Sequence, residues 1–96
     1  MIPLLQGLRI LDLTSVILGP YATQILGDLG ADVVKVEPPE GDSMRPVAPV
    51  AGPGISAIFA NNNRNKRSIA LDLKSEAGKA ALFKLLPTAD VLVHNM

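Results

Sequence analysis

Apolar and polar residues in the first third of the chain follow the pattern of a strand, a helix and a second strand. Residues 8–13 (LRILDL) are rich in leucine and end at polar residues, which is typical of a strand buried on both faces of a parallel sheet. After Gly19 and Pro20, apolar side chains recur at helical spacing and end at Gly30, which is able to supply a left-handed cap. Residues 31–37 (ADVVKVE) predict a second strand, which completes a βαβ unit.

The rest of the chain predicts a loop followed by another alternation of strand and helix. The five prolines within residues 38–53 predict a long irregular loop, because proline donates no backbone hydrogen bond. Residues 55–60 are expected to restart a helical turn. A short strand is predicted at 68–71, a second helix over 75–87 and a last strand at 90–94. Strands that alternate with helices predict an α/β fold with a Rossmann-like parallel sheet and flanking helices.

The amino-acid composition limits the classes of molecule that the protein is expected to bind. The chain has nine basic and nine acidic side chains, so no positive excess supports a nucleic-acid or membrane-surface partner. It has no cysteine, and therefore neither a disulfide framework nor a cysteine nucleophile. No apolar run approaches the roughly 18 residues of a membrane helix, and no signal-peptide cleavage site follows the start, so we expect a cytoplasmic location. Because the chain ends directly after a strand, we interpret residues 1–96 as the amino-terminal part of a larger domain.

Candidate chemistry lies just after each predicted strand, because ligands of open parallel sheets bind at the carboxyl ends of the strands. Residues 14–20, 37–45, 71–74 and 95–96 occupy these positions. The first of these segments leads into a helix amino terminus, where free N–H groups favour an anion such as pyrophosphate. An equally plausible interpretation is that Gly19 and Pro20 only form the turn.

Glu37 stands near the position where a dinucleotide-binding unit holds a ribose. This suggests an NAD-binding domain, but Gly19, Gly27 and Gly30 do not match the G-x-G-x-x-G spacing that such a unit needs. We therefore interpret Glu37 as a solvated charge at the strand end or as the partner of a basic residue.

One local concentration of positive charge is present, made of Arg64, Lys66, Arg67 and Lys74. Four cations so close together are able to bind phosphate groups. The alternative is a solvated loop and strand edge, since lysine and arginine are usually exposed.

The remaining titratable residues give little support for catalysis. His94 lies in an apolar run and has no second residue to form a triad or a metal site, so a structural role is favoured. Five aspartates are candidates by residue type alone, and helix capping or solvent exposure is expected to account for most of them: Asp12, Asp28, Asp32, Asp72 and Asp90. No nucleophile and base pair is visible.

Taken as one string, residues 3–45 closely resemble the opening of family III CoA transferases, a group that includes formyl-CoA and carnitine CoA transferases and the related acyl-CoA racemases. The similarity continues through residues 61–79 and 89–96 and covers essentially the whole chain. Two blocks are distinctive together: GP-x-A-T-Q-x-L-x-D-L-G-A-D-V-x-K-V-E, which begins at Gly19, and N-K-R-S-I-x-L-D-L-K, which ends at Lys74.

The resemblance implies an enzyme that moves CoA from an acyl-CoA to a carboxylic acid through covalent intermediates on an aspartate. It also implies an interlocked homodimer, a large Rossmann-like CoA-binding domain and no metal. The catalytic aspartate of the family lies beyond Met96, so no catalytic residue is assigned here. The positions that match the family's CoA contacts are Ile17, Leu18, Leu71, Asp72, Leu73, Lys74, Asn95 and Met96. Met44 and Arg45 are weaker candidates for the same cleft.

Two departures from the family pattern bear on the substrate. Formyl-CoA transferases have a glutamine where this chain has Ile17, which argues against oxalate and formate and favours a larger or more apolar acyl group. They have an arginine where this chain has Pro38, which removes one expected phosphate contact. The alternatives to CoA transfer are acyl-CoA racemisation on the same fold, a non-catalytic nucleotide-binding module and, least favoured, an NAD-binding domain.

Overall fold

The computed structural model describes residues 3–47 and 50–96. Its elements, in chain order, are a 3₁₀ turn at Pro3–Leu5, β1 (Arg9–Leu13), α1 (Leu18–Asp28), β2 (Asp32–Glu37), β3 (Val50–Gly52), β4 (Ile55–Ser56), α2 (Ala57–Asn63), β5 (Lys66–Ala70), α3 (Glu76–Leu85), a 3₁₀ turn at Leu86–Thr88 and β6 (Val91–His94). The α/β class and the predicted order of strands and helices are confirmed. Among the described residues, no helix has the length and apolar character needed to cross a membrane.

The main sheet has four parallel strands in the order β5-β2-β1-β6. When the four strands are numbered along the chain, their order across the sheet is 3-2-1-4, which is also how the strand order of a doubly wound nucleotide-binding fold begins. The order reverses between β1 and β6, because the chain moves outward from β1 in one direction and then returns to its other side. A crevice at the carboxyl ends of β1 and β6 is therefore the expected ligand position.

The core lies at the centre of this sheet. Ile10 of β1 and Val33 of β2 are buried together with Ala31, and partly buried apolar side chains pack around them. All residues of β2 after the first are buried, whereas the outer strands β5 and β6 are mostly exposed. Of the strands that carry the carboxyl-end residues, β1 and β2 therefore lie in the core, and β5 and β6 lie at the edges of the sheet.

Helix α1 is confirmed, but it buries a different face from the one its apolar spacing suggested. Ile25 is exposed, while Thr23 and Gln24 are buried. The two residues are buried because their side chains form hydrogen bonds. The Thr23 hydroxyl donates to Asp12 Oδ2 at 2.7 Å, and Gln24 Oε1 accepts from the backbone N–H of Arg64 at 2.9 Å. The buried face of α1 therefore contains polar side chains as well as Leu26, which packs against the apolar core.

The predicted loop at 38–53 is only partly irregular. Residues 48 and 49 lie outside the described part of the chain, and β3 pairs antiparallel with β4 just after them. The predicted helical turn at 55–60 is longer and begins later, because the Ser56 hydroxyl accepts from the Phe59 N–H and caps α2. Proline content alone does not exclude a short hairpin, since its strands need few ladder hydrogen bonds.

Candidate functional site

A cavity of about 570 Å³ opens at the carboxyl ends of β1, β2 and β5. We call it the strand-end cavity. Its lining comes from residues 13–15 after β1, residues 35–43 at the end of β2 and beyond, residues 71–74 after β5, and Met96. The loops that the sequence placed at strand ends therefore meet at one site, as parallel topology requires.

Residues 71–74 form one wall, and local hydrogen bonds fix their backbone. The Leu71 N–H donates to the Glu37 carbonyl at 2.8 Å, which extends the β2–β5 ladder by one residue. The Asp72 carboxylate accepts from the Lys74 N–H at 3.0 Å, and the Ser75 hydroxyl accepts from the Gly78 N–H at 3.0 Å to cap α3. A Cβ on Gly78 would lie 1.8 Å from the Asp72 carbonyl oxygen, so glycine lets α3 approach this wall closely.

A buried ion pair belongs to the wall formed by residues 35–43. Lys35 Nζ is 2.9 Å from Asp42 Oδ2, and only 1% of each side chain is exposed. Asp42 Oδ2 has no hydrogen-bond partner among the described residues, so its attraction to Lys35 is Coulombic and not a well-aligned hydrogen bond. Lys35 Nζ also donates to the Thr14 carbonyl at 3.1 Å. The lysine thus joins the loop after β2 to the loop after β1.

A second pair, Glu37 with Arg45, closes the same loop. Two arginine N–H groups donate to the Glu37 carboxylate at 2.7 Å each, and the Asp42 N–H and the Ser68 hydroxyl also donate to it. Burial opposes the charge on Glu37, but these hydrogen bonds outweigh it and lower the pKa of Glu37 to about 2. The Arg45 guanidinium also lies 4.0 Å from the centroid of the Phe59 ring. The expectation of a solvated Glu37 was wrong, whereas the expectation of a basic partner is confirmed.

Helix capping or solvent exposure was expected to account for most of the aspartates, and it does not account for Asp12. Its side chain is fully buried and lies 2.8 Å from Lys66 Nζ, which is itself 2% exposed. Burial acts to raise the pKa of Asp12, but hydrogen bonds from Lys66, Thr14 and Thr23 outweigh it and hold that pKa below its ordinary value. Burial is also the main cause of the lowered pKa of Lys66. The pair joins β1 to β5, and the Thr23 hydroxyl and the Pro20 carbonyl connect α1 to it.

The basic cluster is not a phosphate site as a whole. Arg64 pairs with Asp28, Lys66 with Asp12 and Arg67 with Asp32. Lys74 differs, because it lines the strand-end cavity and has no ion-pair partner in the described part of the chain. The phosphate-binding interpretation therefore remains open only for Lys74.

The predicted CoA contacts divide between two places. Leu71, Asp72, Leu73, Lys74 and Met96 line the strand-end cavity. Ile17 and Leu18 are exposed at the start of α1 and do not line it. Asn95 lies beside the cavity, where its amide bonds to Ser15.

Two weaker candidates and the histidine do not add to the cavity. Met44 and Arg45 do not line it, and Arg45 is committed to Glu37. His94 is exposed, and its Nδ1 accepts from the Met96 N–H at 3.3 Å. No group of three His, Cys, Asp or Glu side chains within residues 3–47 and 50–96 is arranged to hold a metal ion.

Sequence reasoning expected a basic partner for Glu37 but missed that the ion pairs are buried, although part of the signal was present. Lys35 and Glu37 alternate with valines in a strand that is otherwise apolar, and charges of opposite sign follow at Asp42 and Arg45. Charged residues inside an apolar strand are fully buried only when they are paired. The pattern therefore indicates that Lys35 and Glu37 are paired, with Asp42 and Arg45 as candidate partners.

Comparisons with known proteins identify the family. The profile of CoA-transferase family III matches residues 5–96. The chain belongs to CoA-transferase family III. It is 46% identical over 95 residues to a succinyl-CoA:mesaconate CoA-transferase from Haloarcula hispanica, covering 95% of this chain and 24% of that protein. It is 50% identical over 91 residues to a formyl-CoA:oxalate CoA-transferase from Streptomyces coelicolor, covering 95% of this chain and 22% of that protein.

The solved structures of family III agree with the fold. A CAIB/BAIF family protein from Brucella suis superposes with a TM-score of 0.90 at 41% identity, covering 99% of this chain and 26% of that one. The chain spans about a quarter of the length of the family III relatives it matches. Family membership leaves the NAD-binding alternative without support, and the Glu37 carboxylate that motivated it is already bonded to Arg45 and Ser68.

Proposed function

We propose that the protein transfers CoA from an acyl-CoA donor to a carboxylic acid acceptor, and that the strand-end cavity binds part of the CoA. The observation that carries the proposal is the position of the cavity. It lies at the carboxyl ends of parallel strands, beside the point where the strand order reverses, in a chain of CoA-transferase family III. Its volume falls within the range of small-molecule sites.

The charges around the cavity favour binding of the nucleoside end of CoA, with one of its phosphate groups inside the cavity. Lys35 and Arg45 neutralise Asp42 and Glu37, which leaves Lys74 as the uncommitted cation at this cavity among the described residues. Glu40 and Asp72 also line the cavity, so a whole series of phosphates would be repelled. The adenine ring is instead recognised by the ordered backbone of residues 71–74, and a phosphate lies at Lys74.

The chemistry that we propose uses an aspartate downstream of Met96. Its carboxylate attacks the acyl-CoA carbonyl, forms an acyl anhydride and releases CoA as the thiolate. The thiolate attacks the anhydride, which frees the donor acid and leaves CoA on the aspartate as a thioester. The acceptor carboxylate then displaces CoA to form a new anhydride, and the thiolate attacks this to give the product acyl-CoA. Residues of the strand-end cavity keep CoA bound while its thiol end is free.

The proposal does not specify which acyl group is transferred. Ile17 argues against oxalate and formate, yet a relative named for formyl-CoA and oxalate is 50% identical over this region. Identity in this part of the chain therefore does not separate acyl specificities. We further propose a cytoplasmic homodimer of interlocked subunits, as the resemblance implies.

The test is ligand binding by the full-length protein. Calorimetry and thermal shift with CoA, acetyl-CoA and NADH should show binding of the two CoA compounds alone, since a ligand of the native state raises the melting temperature. Lys74→Ala should weaken CoA binding about tenfold, because one charge-assisted contact is lost. The matched control is Lys84→Ala, which removes an exposed lysine of α3 outside the cavity lining.

The outcomes separate the candidate functions. Equal affinities of both variants for CoA would contradict the assignment of Lys74, and binding of NADH alone would contradict the CoA site. Exchange of CoA between an acyl-CoA and a labelled acid supports transfer. Loss of an α-proton from an acyl-CoA without such exchange would point to racemisation, and binding without either reaction to a non-catalytic module.

A further inference from the structure

Asn95 makes two hydrogen bonds to the backbone of one residue on the other side of the reversal in strand order. Its Oδ1 accepts from the Ser15 N–H at 3.2 Å, and its Nδ2 donates to the Ser15 carbonyl at 2.9 Å. Both polar groups of the Asn95 amide therefore have a partner within the protein. Ser15 lines the strand-end cavity, whereas Asn95 does not.

The position of Asn95 in the sheet explains this arrangement. The β1–β6 ladder ends with Leu13 opposite His94. Beyond that pair the two segments separate, since the segment after β1 leads into α1 and the segment after β6 leaves the sheet. The Asn95 amide offers one donor and one acceptor, as a peptide group does, and so bonds Ser15 where a further ladder residue would have done so.

The segment held in this way is strained. Val16, the next residue, has a φ of +77°. A β-branched side chain at positive φ is an outlier that persists only where the surroundings determine the backbone. On the far side of Val16, Gly19 approaches Thr14 so closely that a Cβ would lie 2.5 Å from the Thr14 Cβ. Ser15 to Leu18 is thus fixed at one end by Asn95 and at the other by the first turn of α1.

We propose that Asn95 is a positioning residue that acts through Ser15: its amide holds the strained Val16 backbone and so sets the loop after β1 against the strand-end cavity. The effect on CoA rests on the proposed function, whereas the hydrogen bonds to Ser15 do not. Asn95 thereby contributes to CoA affinity without needing to contact CoA.

The test is a double-mutant cycle in the full-length protein. Asn95→Ala should weaken CoA binding about tenfold, because two hydrogen bonds are lost and the Val16 backbone relaxes. Val16→Gly removes the steric cost of positive φ, so the loop should keep its conformation without Asn95. In the Val16→Gly background, Asn95→Ala should therefore weaken CoA binding by only about threefold or less. An equal loss in both backgrounds would overturn the proposal and indicate that Asn95 contacts CoA directly.

A second measurement needs no ligand. Hydrogen exchange of the peptide spanning residues 13–18 should accelerate in Asn95→Ala, while exchange in the exposed control Asn61→Ala stays at the wild-type rate. Asn95→Asp keeps the shape and the acceptor but places an oxygen against the Ser15 carbonyl, so it should also accelerate exchange if Asn95→Ala does not fold. Unchanged exchange in a folded variant would overturn the Asn95–Ser15 contact. If the wild type does not bind CoA but exchange responds as expected, the proposed function fails and the contact stands.

Discussion

The ion pairs of the main sheet fall into two groups, which differ in how much water reaches them. The side chains of the Asp12–Lys66 and Lys35–Asp42 pairs are at most 2% exposed. Asp32, by contrast, is 39% exposed and pairs with Arg67, which is 65% exposed. Each pair joins an aspartate to a lysine or an arginine, and the distances of 2.8–2.9 Å are nearly equal.

The difference shows that burial, and not pairing alone, determines how much a charged side chain contributes to the free energy of unfolding. Helices α1 and α2 and the loop after β2 cover the two buried pairs, so removal of one partner leaves an uncompensated charge in a medium of low dielectric constant. Water screens the Asp32–Arg67 pair, which therefore contributes little to the free energy of unfolding. Lys35 and Asp42 also line the strand-end cavity.

The largest expected effect comes from Asp12→Asn. It leaves the Lys66 ammonium buried without a counter-charge, which should lower the free energy of unfolding by about 3–5 kcal/mol. The matched control in the exposed pair is Asp32→Asn, which should cost less than about 1 kcal/mol. Urea denaturation of both variants measures the difference. Similar losses in the two variants would mean that burial does not distinguish the two groups of pairs.

A smaller effect is expected from Gly78→Ala, which tests a buried contact that carries no charge. Alanine favours a helix, but its Cβ would lie 1.8 Å from the Asp72 carbonyl oxygen, so α3 must move away from residues 71–74. We expect a net loss of about 1–3 kcal/mol in the free energy of unfolding, together with weaker CoA binding. Gly52→Ala is the control, since its Cβ would meet no atom within 4 Å. Unchanged stability of Gly78→Ala would show that the wall is not tightly packed.

The Glu37–Arg45 pair gives a pH dependence. Folding lowers the pKa of Glu37 from 4.5 to about 2, so its stabilisation is complete above pH 4.5 and is lost as the pH falls toward 2. After allowance for solvent screening, the change amounts to roughly 2 kcal/mol. Thermal unfolding between pH 5 and about 2 should therefore show a shallower decline for Glu37→Gln than for the wild type. Parallel declines would contradict the proposed pair.

The smallest expected effect is that of Arg67→Gln, which removes one partner of the exposed Asp32–Arg67 pair. Because Arg9 still pairs with Asp32 at 3.0 Å, stability should change by less than about 1 kcal/mol, and the change should shrink further at 1 M salt. Denaturation at low and high salt measures it. A large loss that persists in salt would show that the exposed pairs behave like the buried ones.

The fold was largely predictable from the sequence, because short apolar runs separated by helical spacing specify strands and helices locally. The positions of the loops followed from parallel topology. The Asp12–Lys66 pair was not predictable, since its partners are 54 residues apart and each type is usually exposed. Likewise, the spacing of Ile25 and Leu26 predicts that α1 is a helix but not that Thr23 and Gln24 are buried. Their burial depends on where Asp12 of β1 and the Arg64 backbone lie in three dimensions.

The strand order also has a consequence for the timing of folding. Ser15 and Asn95 are 80 residues apart, and β6 is the last strand to leave the ribosome among those described. At about 5–20 residues per second, β1 therefore waits roughly 4 to 16 seconds for its neighbour. During this interval β1 and β2 are able to pair, but one edge of β1 stays open to other chains. The loop after β1 is thus expected to be among the last parts of the site to order during synthesis.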